Sequence, residues 1–245
     1  TSVVLVSTVA SIRRMIVGRR TQRLVGGGAV PTIPANTPEG ASTSAPTGAG
    51  APTGVGAPSG ASASAAIVEA YPKAAPIVDL LLDTATAIGT HPVWLANLID
   101  FESGHSWSPS KKNTQTNAVG LIQFMPATAA ELLDIPPDSR TAQGYPRWTP
   151  ESLQRATATM AAMDARRQMT FVRAFLRRWS RAKGPLDTKH KLYMAVFYPA
   201  AIKRDPNAFL TDNATEIVKI RAQNNGIDTP AKYSAYVEAN AKVTA

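Results

Sequence analysis

From residue 66 onward, apolar residues recur at helical rather than strand spacing. Leu95, Leu98 and Glu102 fall at i, i+3 and i+7, so they share one helical face. Trp94, Ile99 and Phe101 widen that apolar surface. Thr90 is the expected N-cap, Pro92 sits where a missing N–H costs little, and Gly104 ends the helix. Val172, Phe175, Leu176 and Trp179 give a second core-facing stripe, closed by Gly184-Pro185. The cations Arg177, Arg178, Arg181 and Lys183 near its end suit the helix dipole. Thr149-Pro150-Glu151 is a helix start, and Pro126 opens a helix across ATAAELL. Residues 67–89 carry two apolar stretches interrupted by Pro72 and Pro76. Further helices are predicted over 187–198, 213–225 and 230–242, with Asn213 and Glu216 spaced as a capping box. No alternating apolar/polar run is bounded by turns, so little sheet is expected. The pattern predicts a mainly α domain over residues 66–245, long enough to bury a core.

Composition divides the chain into three zones. Residues 1–25 hold a short apolar run, TSVVLVSTVA, followed by Arg13, Arg14, Arg19, Arg20 and Arg23 with no acid. Residues 26–65 form a linker in which 35 of 40 residues are Gly, Ala, Pro, Ser or Thr and Glu39 is the only charge. Such a stretch has too little apolar surface to fold alone. The first zone is a poor secretion signal, because its charge follows the apolar run instead of preceding it. The run is also too short to span a bilayer. It reads as a basic amphipathic arm that docks on a scaffold, a membrane or nucleic acid. The whole chain carries a formal charge of +9 and an isoelectric point near 10, which suits an anionic cell wall and nucleic acid equally. No zinc-finger spacing or RNA-recognition motif supports the second. With no Cys there are no disulfides, and three His show no metal-ligand spacing, so no metal or cofactor is expected.

The densest chemistry lies in residues 102–129, ESGHSWSPSKKNTQTNAVGLIQFMPATA. Glu102 stands at the end of an apolar helix. Apolar surroundings disfavour a charged carboxyl, and glycosidic cleavage needs a carboxylic acid still protonated near neutral pH. Ordinary glycosidases use two carboxylates. Between Glu102 and Gly120 there is neither Asp nor Glu, and Asp100 points roughly to the other side of the helix. Asp134 and Asp138 remain as more distant candidates for a second carboxylate. The nearby absence favours a one-carboxylate mechanism in which the substrate supplies the nucleophile.

Glu102-Ser103-Gly104 followed by Gly120-Leu121-Ile122-Gln123-Phe124-Met125-Pro126 resembles the signature of the lysozyme-like lytic transglycosylases, which cleave bacterial peptidoglycan. The resemblance spans roughly residues 78–230 and is most specific around 102–129. It implies a lysozyme-like, goose-type helical fold with a cleft between lobes. It implies that Glu102 first donates and then withdraws a proton, leaving 1,6-anhydro-muramic acid ends. Ser103 would hydrogen-bond near the acid or the acetamido group. Gly120, Leu121, Gln123 and Met125 would line the sugar cleft, with the Gln side chain and backbone groups binding substrate. The family's Ala-Tyr-Asn element is replaced by LYMAVFYPAAI at 192–202, where Tyr198 aligns with the tyrosine that faces the acid and Phe197 is the other choice. That variant, and IRAQNNGID at 220–228, resemble phage-borne members.

The other conspicuous residues read as structural. His105 is a polar loop residue, and His91 and His190 lie at the surface. Trp94, Trp148 and Trp179 belong to the core, while Trp107 is open between stacking on a sugar and closing the core. The basic stretch at 166–183 reads as a solvated helix face. Two functions are expected from this. One is a virion-associated peptidoglycan lytic transglycosylase used for local wall penetration during phage DNA entry, its arm bound to other virion proteins. The other is a non-enzymatic virion protein whose lysozyme-like domain packs or reads glycan.

Overall fold

The computed structural model describes residues 60–142 and 144–245. The basic arm and nearly all of the linker lie outside the described residues. Nine α-helices are seen among the described residues: α1 (Gly60–Ala70), α2 (Val78–Ile88), α3 (Pro92–Glu102), α4 (Pro126–Leu132), α5 (Pro150–Ala161), α6 (Ala165–Lys183), α7 (Lys189–Phe197), α8 (Ala214–Gln223) and α9 (Pro230–Ala239). Short 3-10 turns cover Pro72–Ile77 and Pro199–Ala201. The only named sheet among them pairs β1 (Ser139–Arg140) antiparallel with β2 (Pro146–Arg147). The domain is mainly α, as the periodicity predicts.

α3 is the central element. It contacts α1, α2, α7 and α9, and Leu95, Ala96, Leu98 and Ile99 are fully buried on it. Burying each such Leu or Ile contributes ~1.5–3 kcal/mol, so α3 is fixed on more than one side. Around it α2 packs on α6, α7 on α9, and α4 on α5. The α6 stripe of Val172, Phe175, Leu176 and Trp179 is buried as its spacing predicts. Gly184, at φ +93, follows its last turn. No helix among the described residues is long and apolar enough to cross a membrane.

Three local expectations are corrected. The cap of α3 is His91, not Thr90: its Nδ1 accepts from the Val93 N–H at 3.3 Å. With Pro92 as the first helical residue, the residue before it is the one whose backbone is still extended. Residues 60–65, counted with the linker by composition, are helical in α1, where Ala63 and Ile67 bury on one face at i and i+4. The capping box at α8 is half formed. Asn213 Oδ1 accepts from the Glu216 N–H at 3.0 Å, while the Glu216 carboxylate accepts from the Tyr198 and Thr211 hydroxyls.

Candidate functional site

Glu102 is the last residue of α3 and only 5% exposed. The Tyr233 hydroxyl of α9 donates to its Oε1 at 2.9 Å. Tyr233 is itself held by rings. Phe197 stacks on it at 4.1 Å and 10°, and Phe101, beside the acid, meets it edge-on at 6.1 Å. Burial works against the charged carboxyl, whereas a hydroxyl that donates to it works for the charge. The carboxyl therefore sits between two opposed influences, of which the hydroxyl comes from a residue far along the chain.

The turn that leaves the acid is built on Asp100. This carboxylate is buried, one oxygen accepting from Trp107 Nε1 at 2.8 Å and the other lying 2.6 Å from His105 Nδ1. The Asp100 carbonyl also accepts from the His105 N–H. Gly104, His105 and Trp107 all have φ near +60°. Outside glycine that geometry is costly, and the Asp100 bonds offset the cost. Ser103 completes the turn. Its hydroxyl donates to the Asp100 carbonyl and accepts from the Trp107 N–H, and the side chain is fully buried. These contacts make Ser103 a turn-building residue, where the resemblance implied contact with the acid or an acetamido group. Trp107 is core: it is buried and its ring lies 5.4 Å from that of Tyr71. The sugar-stacking alternative is thereby set aside.

The segment that follows folds back on itself. Bridges pair Lys112 with Val119 and Val119 with Phe124, and the Gly120 N–H donates to the Lys111 carbonyl at 2.8 Å. Gly120 has φ +89, and a Cβ there would come within 2.2 Å of Gln168 Oε1, so the position admits only glycine. Gln123, at φ +54, donates from Nε2 to the Lys111 and Gly120 carbonyls, each at 3.1 Å. Leu121 is fully buried, so its side chain serves the core. Met125 is partly buried and precedes α4. Of the predicted lining residues, Met125 is thus the most open, while Gly120, Leu121 and the Gln123 side-chain amide N–H groups shape the loop from within.

Tyr198 is fully buried, and its hydroxyl donates to Glu216 Oε1 at 3.3 Å. Phe197 acts through the Tyr233 ring. The tyrosine bonded to the acid is thus one that the sequence reading passed over. Its only local signal was an aromatic four residues into the helix that Thr229-Pro230 starts. Gln168 was missed too. It is a fully buried amide on the apolar face of α6, flanked by Met169 and Val172. Its Oε1 accepts from the Leu121 N–H at 2.7 Å, and its Nε2 donates to the Pro109 and Met160 carbonyls at 3.0 Å. A polar residue on a core stripe is the signal that would have found it.

Of the two more distant carboxylates, Asp138 has structural work. Asp138 accepts from the Thr149 N–H and from Ser152 Oγ at the start of α5, and Asp134 lies in a turn at φ +51. No group of three or more acidic or His side chains that would suit a metal ion occurs among the described residues. No family model matches the chain, and no curated protein or solved structure does.

Proposed function

We propose that the domain is a peptidoglycan lytic transglycosylase acting through Glu102. The observation that carries this reading is a buried carboxyl as the last residue of a helix, bonded by a tyrosine hydroxyl and followed by a tightly bonded Gly-Leu-Ile-Gln loop. In this mechanism Glu102 protonates the glycosidic oxygen between MurNAc and GlcNAc. The C1–O bond breaks as the acetamido group supports the developing cation. Glu102, now a carboxylate, takes the proton of the MurNAc 6-hydroxyl, whose oxygen closes on C1. The products are a GlcNAc with a free 4-hydroxyl and a 1,6-anhydro-MurNAc end, and Glu102 regains its proton. The occupation of Asp100 by Trp107 and His105 supports a mechanism without a second carboxylate beside the acid. The resemblance to phage-borne members extends the proposal to a virion protein that opens the host wall locally for genome entry. Its basic arm would bind other virion proteins, with membrane or nucleic acid as further partners.

One observation favours the second reading, a structural virion protein with a glycan-reading domain. The Ser103 hydroxyl and the Gln123 amide nitrogen each bond to backbone groups of their own segment. The replacement Glu102→Gln separates the two. It keeps the shape and removes the transferable proton, so an enzyme loses ~10²-fold or more in turbidity clearance of purified peptidoglycan. Equal clearance by both proteins would remove Glu102 from the mechanism.

A further inference from the structure

The amide of Gln168 ties together three stretches of chain, two of which the Gly120 N–H to Lys111 carbonyl bond also joins. Pro109 belongs to the segment leaving the acid's turn. Leu121 belongs to the Gly-Leu-Ile-Gln loop. Met160 is at the end of α5, and Gln168 itself rides on α6. The loop is shaped to fit this side chain, since the absent Cβ of Gly120 would occupy its place. We propose that Gln168 is a positioning residue: it sets the Gly120–Leu121 peptide relative to the Glu102 turn, and so governs glycan binding. The part concerning glycan rests on the transglycosylase reading above.

Its location makes a specific split. Gln168 bonds the loop and the exit segment, not the acid. Its loss raises KM while kcat holds. A residue that merely fills core would instead lower the stability of the whole domain.

The test uses the full chain in three forms: wild type, Gln168→Met and Gln168→Glu. Met fills similar space without polar ends. Glu keeps an acceptor for the Leu121 N–H, but donates to the Pro109 or Met160 carbonyl only when protonated. Amide exchange is followed in 109–124 and in α3, and cleavage of purified peptidoglycan is measured alongside. In the Met form, exchange across 109–124 is expected to accelerate about tenfold with α3 unchanged. Its apparent KM is expected to rise about tenfold at nearly constant kcat. The Glu form is expected to approach wild type as pH falls, seen as a rising ratio of the two rates. Uniformly faster exchange, or a Met form with wild-type exchange and KM, would overturn the proposal. If the Met form does not fold, a Glu form whose rate ratio and loop exchange ignore pH overturns it as well. A wild type that releases no fragments sinks the catalytic reading alone, and loop exchange still decides whether Gln168 sets the loop.

Discussion

Glu102 accepts a hydrogen bond from Tyr233, a residue 131 positions away in sequence. Tyr233→Phe isolates that influence, because the ring stays clamped by Phe197 and Phe101 while the donated hydrogen bond goes. Losing a donor to the carboxylate weakens its charged form. The alkaline limb of the cleavage rate is therefore expected to move to higher pH, with a stability change of about 1 kcal/mol. An unchanged pH–rate profile would leave Tyr233 with a packing role only. At this scale the inward placing of Glu102 and the loop glycine Gly120 were legible, because both sit in a short motif with local constraints. Tyr233, Gln168 and the Asp100 bonds to His105 and Trp107 were not legible. Each is defined by a partner across the fold or by a left-handed backbone, and neither leaves a periodic trace.

Helices were far easier to read. The Thr149 cap accepts from Ser152, Pro126 opens α4, and the buried stripe of α6 follows its spacing. The cap of α3 was misassigned by one residue, and this has a consequence for pH. Burial lowers the pKa of His91 below its ordinary 6.5. Burial does the same for His190, helped by Lys189. Above pH 6.5 both histidines are neutral, folded or unfolded, and their contribution is complete. As pH falls through 6.5 the unfolded chain takes up protons first, so stability is lost down to the folded values. Asn is a strong N-cap and does not titrate. His91→Asn should match wild type above that pH within about 0.5 kcal/mol, and lose less on acidification. Urea midpoints on either side of pH 6.5 check this, and parallel curves would contradict it.

In the whole molecule, α3 contacts four helices, and its middle is tied to the C-terminal residues. Asn97 Oδ1 accepts from the Tyr71 hydroxyl at 2.8 Å, its Nδ2 donates to the Val243 carbonyl at 3.0 Å, and Tyr71 in turn accepts from the Lys242 N–H. Glu238 joins this network directly, its Oε1 accepting from Asn97 Nδ2 at 3.5 Å and also from the Tyr193 hydroxyl. One continuous core of this kind predicts that residues 60–245 unfold in a single transition, with calorimetric and van't Hoff enthalpies equal. Two resolved transitions would mean that α1 to α3 and the remaining helices are separate units. The α class was legible at this scale because periodicity and start signals are local. The set of helices around α3 was not, since it depends on which helices meet. In the proposed reaction one carboxyl, Glu102, cuts glycan with the substrate's own hydroxyl as nucleophile. The mass of fragments released from purified peptidoglycan tests it most directly. The expected products are muropeptides one water lighter than hydrolysis would give, absent with Glu102→Gln. Reducing-end fragments of full mass would contradict it and call for a second carboxylate.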